Sequence, residues 1–142
     1  EYANEPVDID RVIKMLLIHD LGEIDAGDTI IYASETPELK AKEEEGLKRI
    51  LDLLPEGQAD QYLSLWHEFE EGESADAKFA KAVDRVPPLL HNLHDNGHSW
   101  QKHNVPKEKV FALNSRIASG SNDLWSVIEA KLNTAVDTGI LK

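Results

Sequence analysis

The sequence contains no cysteine. Disulfide bonds, thiolate nucleophiles and cysteine-ligated zinc sites are therefore excluded. Any metal ion in this protein has to be held by imidazole and carboxylate groups, and these ligands favour borderline or hard divalent ions.

Basic residues are scarce as well. The chain has 15 lysines and arginines against 27 aspartates and glutamates, which gives a formal net charge of −12. Duplex nucleic acid and anionic membranes are bound largely by neutralising phosphates with basic side chains, so this balance argues against both partners. A small phosphorylated ligand remains compatible with it if a metal ion offsets the local negative charge.

Long apolar runs are missing too. No stretch of the sequence approaches the length of a membrane span, and no basic and apolar leader precedes the first helical pattern. We therefore expect a soluble, cytoplasmic protein that does not bind membranes.

Strand-like alternation and internal repeats are also absent from the sequence, and helical spacing takes their place. Asp8 is a predicted N-cap, and the helix after it should end near Gly22. Thr36-Pro37-Glu38 predicts the start of a second helix, because a cap is followed by a proline at the first helical position and an acid. The predicted core positions of these two helices are Ile9, Val12, Ile13, Leu16, Leu17, Leu39, Leu47, Ile50, Leu51 and Leu54.

The later part of the chain continues the helical pattern. Ser74 is predicted to open a helix that Pro87-Pro88 kink or interrupt. The stretch "HDNGHSWQKHNV" indicates a polar connector, and further helices are expected after Pro106 and after a cap at Asp123. Aromatic and apolar side chains at helical spacing indicate core positions at Tyr62, Leu65, Trp66 and Phe69. We predict a single all-α helical bundle over residues 1–142.

The stretch "MLLIHDLGEIDAGD" ends an apolar helix in a histidine and several acids. Adjacent residues on a helix differ by about 100° in direction, so His19 and Asp20 can both reach one ion beside the helix end. Imidazole and carboxylate are suitable ligands for Zn, Mn, Fe, Co, Ni or Mg. The dipeptide alone is a weak signal, because a histidine at a helix end with a neighbouring acid is common.

Two more carboxylates follow within the same stretch. Glu23 and Asp28 are predicted to lie beside the ion, where a carboxylate can take a proton from water or deliver one to a leaving group. Asp25 fits no such role, and we expect it to be solvated.

A distant aspartate is the third candidate ligand. Asp84 follows a predicted inward stripe in "SADAKFAKAVDRV" and borders the core side of its helix. It is either a surface partner of Lys81 or Arg85, or a metal ligand that completes the first cluster.

Together these residues resemble the HD-domain metal-dependent phosphohydrolases, and within them the 5'-deoxynucleotidase branch. His19, Asp20, Glu23 and Asp28 match the pattern HD-x-x-E-x-x-x-x-D, and Asp84 matches the later aspartate of the family. The similarity covers most of the chain. It implies the helical HD-domain fold, one divalent ion (Mn, Co, Mg, Zn, Ni or Fe) bound by His19, Asp20 and Asp84, catalytic roles for Glu23 and Asp28, and a homodimer.

One departure from the family pattern concerns its first metal-binding histidine, which belongs to a helix before the HD pair. No histidine precedes His19 in this sequence. We expect that the chain lacks the N-terminal part of the domain and that "EYANEP" continues from it, so that three of four expected ligands are present.

The resemblance implies a metal-dependent 5'-nucleotidase that hydrolyses 5'-deoxyribonucleoside monophosphates to deoxynucleoside and phosphate. An HD-type phosphodiesterase or a (p)ppGpp-like hydrolase is the alternative enzyme. A non-catalytic nucleotide-sensing module is the alternative from a different class, although such a module has no need of Glu23 and Asp28.

Overall fold

A computed structural model describes residues 1–27 and 36–142 of the chain. These residues form helices joined by turns, with no strand among them, which confirms the all-α prediction. The helices are α1 (Ile9–Ile18), α2 (Glu23–Ala26), α3 (Pro37–Leu51), α4 (Ala59–Glu71), α5 (Ala75–His94), α6 (His98–Lys102), α7 (Lys107–Asn114), α8 (Ile117–Gly120) and α9 (Asn122–Asp137).

Side-chain caps start several helices where the sequence predicts them. The Asp8 carboxylate accepts hydrogen bonds from the backbone N–H groups of the first turn of α1, and the Thr36 hydroxyl accepts one at α3. The Ser74 hydroxyl accepts from the third residue beyond it, at the start of α5. The predicted cap at Asp123 is wrong, because Ser121 caps α9 instead.

The chain divides into two compact units. The first unit comprises Asp8–Ala77, and the second comprises Glu1–Val7 with Lys78–Lys142. That residues 1–142 form one domain stays a prediction. No helix in the described ranges is long and apolar enough to cross a membrane.

In the first unit α1 packs on α4, and α2 and α4 both pack on α3. Arg11 of α1 pairs with Glu68 of α4, and its Nε lies 2.9 Å from Oδ2 of Asp76 in the first turn of α5. The buried side chains of the first unit include Val12, Met15, Ile18, Leu47, Leu51, Leu65, Trp66 and Phe69. The aromatic core positions predicted for α4 are therefore confirmed at Trp66 and Phe69.

The buried face of α1 differs from the predicted one. Ile9, Ile13 and Leu17 are 52%, 49% and 71% exposed, whereas the buried positions follow the spacing Val12, Met15 and Ile18. Because α1 is apolar on more than one side, its own sequence does not select the face; the helices that pack against it do.

In the second unit α7 and α8 pack on α9. Asn4 ties the N-terminal segment to this group, since its Nδ2 donates to the Ala118 carbonyl at 2.8 Å and its Oδ1 accepts from the Asn122 N–H at 2.8 Å. The buried side chains of this unit include Leu89, Trp100, Val110, Ile117, Ile128 and Leu132.

Two expectations for α5 and the segment after it differ from the structure. The predicted interruption at Pro87-Pro88 is wrong, because helix α5 continues through both prolines to His94, and a kink there stays a prediction. Each proline lacks the N–H that would bond to the carbonyl four residues back, so the helix makes fewer backbone hydrogen bonds at this point. The predicted polar connector contains the short helix α6, whose Trp100 is 2% exposed.

Candidate metal centre

His19 is the residue at which α1 ends. Its backbone N–H donates to the Met15 carbonyl at 3.0 Å, and its Nδ1 lies 2.9 Å from the Leu16 carbonyl oxygen. A carbonyl oxygen can only accept, so this contact makes Nδ1 the protonated ring nitrogen. The other ring nitrogen, Nε2, is then the one that can bind a further partner.

That partner is the next residue. Nε2 of His19 lies 3.0 Å from Oδ1 of Asp20. When Nδ1 carries the ring proton, the facing Nε2 and Oδ1 atoms both present lone pairs, and a shared proton or a cation is suited to lie between them. Two adjacent ligands bound at about 2.1 Å and about 90° to one ion are about 3.0 Å apart, and the pair therefore fits a divalent cation.

Two aromatic side chains of helix α4 contact His19. The indole Nε1–H of Trp66 donates to the His19 carbonyl at 3.2 Å, and the Phe69 ring lies 4.8 Å from the imidazole, centroid to centroid, at 48°. Both side chains are buried, and the His19 side chain is 13% exposed against 65% for Asp20. The imidazole is thus held on the core side, while the carboxylate reaches solvent.

The turn after the pair leads directly into α2. The Glu23 N–H donates to the Asp20 carbonyl at 3.0 Å, so Glu23 begins the next helical turn. Gly22 packs so closely on α3 that an added Cβ would lie 2.2 Å from the Glu43 carbonyl oxygen. On α3 the same contact requires Gly46, whose added Cβ would lie 2.8 Å from the Gly22 carbonyl oxygen.

An ion pair also joins α2 to α3. Asp25 is exposed, as expected, and it also pairs with Arg49, which the sequence did not indicate. Its carboxylate accepts two hydrogen bonds from Arg49, from Nε at 2.5 Å and from a terminal nitrogen at 2.9 Å. These hydrogen bonds hold the pKa of Asp25 below its ordinary value. The charged segment "KEEEGLKR" of α3 therefore contains both Gly46, which contacts the turn at Gly22, and Arg49, which binds Asp25.

Lys40 of α3 lies beside Trp66, the residue that donates to the His19 carbonyl. Its Nζ is 5.8 Å from the Trp66 ring centroid, 2.8 Å from Glu43 and 2.6 Å from Glu70 of α4. Burial lowers the pKa of Lys40, but the hydrogen bonds to both glutamates outweigh burial and raise the pKa above its ordinary value. Lys40 therefore stays charged and links α3 to α4 beside Trp66.

The remaining predicted site residues are placed as follows. Asp84 lies on α5 in the second unit and is partly buried. Asp28 lies outside the described residues. Within residues 1–27 and 36–142 no group of three or more histidine, aspartate or glutamate side chains is arranged to hold a metal ion. The structure thus brings His19 and Asp20 together, and ligation by Asp84 stays a prediction.

Sequence reasoning missed the residues that hold the pair. Trp66 and Phe69 appeared only as core positions, which is correct but incomplete. Their helical spacing gives no sign that the indole reaches the His19 carbonyl, because the two residues are 47 positions apart.

Comparison with known proteins connects these residues to a family. A family model described as HD domain matches residues 1–125. The chain is 40% identical over 83 residues to human 5'-deoxynucleotidase HDDC2, covering 57% of this chain and 40% of that protein. It is 37% identical over 89 residues to the bovine protein of the same name, covering 61% of this chain and 43% of that one.

A solved structure is similar as well. It is that of a predicted metal-dependent phosphohydrolase from Magnetospirillum magnetotacticum MS-1, with a TM-score of 0.90 and 46% identity over 99% of this chain and 72% of that one. The chain spans less than half the length of the curated relatives named above. The match over residues 1–125 confirms the resemblance seen in the sequence, and the chain belongs to the HD domain family.

Proposed function

We propose that this protein is a divalent-metal-dependent phosphohydrolase that converts 5'-deoxyribonucleoside monophosphates to deoxynucleoside and phosphate. The observation that carries the proposal is the His19–Asp20 contact, with Nε2 and Oδ1 3.0 Å apart and Nδ1 held by a carbonyl, in a chain of the HD domain family. The substrate class follows the relatives that are named 5'-deoxynucleotidase.

The proposed ligands are Nε2 of His19 and the carboxylates of Asp20 and Asp84. When bound, a divalent ion supplies positive charge to the phosphate and acidifies a coordinated water. The hydrogen bond from Nδ1 to the Leu16 carbonyl favours the tautomer of the imidazole whose lone pair lies on Nε2. The proposed local role of the chain is therefore to orient Nε2 of His19 and the Asp20 carboxylate toward one ion.

Glu23 is the proposed proton-transfer group. It lies one turn beyond the pair and is tied to Asp20 through its own backbone N–H. In the hydrolysis a bond forms between phosphorus and the water oxygen, and the bond from phosphorus to the 5' oxygen breaks. Glu23 takes the water proton and returns a proton to the leaving oxygen, so that the nucleoside departs as an alcohol. Asp28, outside the described residues, is proposed to act near the sugar or the leaving group.

The test is phosphate release by the full natural protein after chelation and reloading with Mn²⁺ or Co²⁺. We expect release from dAMP and dTMP with metal and none without it. A cyclic dinucleotide and ppGpp serve as comparison substrates for the phosphodiesterase and (p)ppGpp-hydrolase alternatives. Absence of phosphate from every mononucleotide tested at stoichiometric metal would reject the substrate class.

Cellular location and assembly belong to the proposal as well. We infer a cytoplasmic homodimer that binds a small nucleotide and neither duplex nucleic acid nor membrane, from the net charge of −12 and the family resemblance. Analytical ultracentrifugation of the full natural protein measures the oligomeric state directly.

A further inference from the structure

The carbonyl of His19 needs a donor from outside its own helix. The last carbonyls of a helix have no intrahelical N–H to accept from, and His19 directly follows the last residue of α1. Its carbonyl accepts from the indole N–H of Trp66 at 3.2 Å. Trp66 is 2% exposed, so its N–H also requires a partner inside the protein. The contact satisfies both groups.

This hydrogen bond acts on the peptide that joins the two proposed ligands. The His19 carbonyl and the Asp20 N–H belong to one planar peptide group, so holding the oxygen sets the rotation of the whole plane. The backbone is fixed on both sides as well, by the hydrogen bond from the His19 N–H to Met15 and by that from Glu23 to the Asp20 carbonyl. The position of this plane sets the backbone from which both side chains extend.

Two further contacts keep the indole and the imidazole in place. Phe69, three residues after Trp66 on the same face of α4, packs its ring against the imidazole at 4.8 Å. Lys40, held by Glu43 and Glu70, lies over the indole ring on the α3 side. Neither α4 aromatic carries an atom that would bind the ion itself.

We propose that Trp66 is a positioning residue for metal binding, whose indole N–H holds the His19–Asp20 peptide so that both side chains can bind one cation. The proposal rests on the proposed function only for the metal, and not for the substrate. It predicts that loss of the N–H weakens metal affinity at unchanged ligand residues.

The experiment titrates metal-free full natural protein with Co²⁺ alone and records affinity by calorimetry and the visible absorption spectrum of the bound ion. Removal of a group that orients a metal ligand weakens affinity about 10- to 100-fold, and we expect this for Trp66→Phe. In a second variant, Trp66 is replaced by 3-benzothienylalanine, which keeps the size of tryptophan and lacks the N–H. This variant should show the same loss of Co²⁺ affinity, with a smaller loss of thermal stability than Leu132→Ala causes.

Two controls separate positioning from stability. Trp125→Phe in α9 makes the same chemical change at a half-buried tryptophan of the second unit, and should leave Co²⁺ affinity unchanged. Leu132→Ala removes a fully buried side chain of α9, so it should lower the unfolding temperature and leave affinity unchanged in the folded protein.

Wild-type affinity and an unchanged spectrum in the benzothienyl variant would overturn the positioning role, whether or not the enzyme releases phosphate. Equal loss of affinity in Leu132→Ala would also overturn it, because stability alone would then explain the effect. If the wild type binds Co²⁺ and the Trp66 variants do not, but no nucleotide is hydrolysed, the substrate assignment fails and the positioning role holds.

Discussion

Each of the two compact units contains a glycine in close contact with a backbone carbonyl, and the neighbouring contacts of the two glycines differ. In each unit a glycine lies so close to a backbone carbonyl that an added Cβ would be 2.2 Å from it, Gly22 against Glu43 in the first and Gly120 against Lys78 in the second. Gly22 stands between the proposed metal ligands and Glu23. Gly120 stands at the end of α8, where its carbonyl accepts from the Asn4 N–H.

The contacts beside the two glycines serve different neighbours. Around Gly22 the turn is joined to α3 by the Asp25–Arg49 pair, and Lys40 links α3 to α4. Beside Gly120 the Asn4 side chain donates to the Ala118 carbonyl and accepts from the Asn122 N–H, and the Ser121 hydroxyl accepts from the Leu124 N–H. The close approach of Gly22 therefore accompanies the pair that is proposed to bind the ion, whereas that of Gly120 accompanies the start of α9.

The largest expected effect is a loss of turnover without a loss of metal binding, caused by a substitution in the first unit. Glu23→Gln removes the proposed proton-transfer group and keeps the shape of the side chain, so turnover should fall about 10²- to 10⁴-fold while Co²⁺ binding is retained. Steady-state phosphate release and Co²⁺ titration measure the two properties. Asp123→Asn, at an exposed position of α9, is the control and should change neither. Retained turnover in Glu23→Gln would favour a non-catalytic module or another proton-transfer group.

The glycine comparison itself can be tested with one methyl group at each site. Gly22→Ala and Gly120→Ala should each lower the free energy of unfolding by about 1–3 kcal/mol, because the neighbouring atom is backbone and cannot swing away. Urea unfolding measures the loss. Only Gly22→Ala should also weaken Co²⁺ binding in the folded protein. Gly27→Ala is a control that separates backbone strain from close contact. Its φ of +86° strains alanine, but nothing lies within 4 Å of the added Cβ.

A smaller effect is expected from the helix caps of the two units. Asp8→Ala at α1 and Ser121→Ala at α9 should each cost about 1 kcal/mol, because one or two N–H groups of the first turn lose their acceptor. Ser121 is fully buried, so its replacement should cost more than that of the exposed Asp8. Thermal unfolding ranks the two variants, and the reverse order would show that the caps contribute through something other than burial.

The smallest effect concerns the Asp25–Arg49 pair, which is exposed to solvent. Arg49 holds the pKa of Asp25 below its ordinary value of 3.8. The pair therefore stabilises the folded state above that value, and this stabilisation is lost as the pH falls through the lower folded-state pKa. Asp25→Asn should lower the unfolding temperature slightly at neutral pH, and acidification below about pH 4 should cost it less than the wild type.

Added salt provides a second test of the Asp25–Arg49 pair. Added NaCl screens an exposed pair, so it should narrow the difference between wild type and Asp25→Asn at neutral pH. Differential scanning calorimetry over a series of pH values and salt concentrations follows both effects. Parallel curves for the two proteins would contradict a role for this pair in seating the turn.

Much of the first unit was predictable because its signals are local. The caps at Asp8 and Thr36 and the burial of Trp66 and Phe69 follow from residues within one or two helical turns. The His19–Asp20 contact was predictable for the same reason, since adjacent residues at a helix end face one neighbourhood. The residue types left the role of Asp84 open between a surface ion pair and a metal ligand. The resemblance to the family favoured the ligand role, which stays a prediction together with the role of Glu23.

What could not be predicted depends on contacts between distant segments. The exposure of Ile13 and Leu17 is decided by α4, which packs on the other side of α1. Asp25 is exposed, as expected, but its pairing with Arg49 depends on the position of α3 and could not be predicted. Helix α5 continues through Pro87 and Pro88, although the dipeptide alone predicts a kink or an interruption.

The most direct test of the central claim is a crystal structure of the full natural protein with Co²⁺ or Mn²⁺, with anomalous scattering recorded at the metal edge. The proposal predicts one peak about 2.0–2.2 Å from Nε2 of His19 and from carboxylate oxygens of Asp20 and Asp84. The Trp66 indole should remain bonded to the His19 carbonyl. A peak bound through Nδ1, or one that Asp84 does not reach, would contradict the claim.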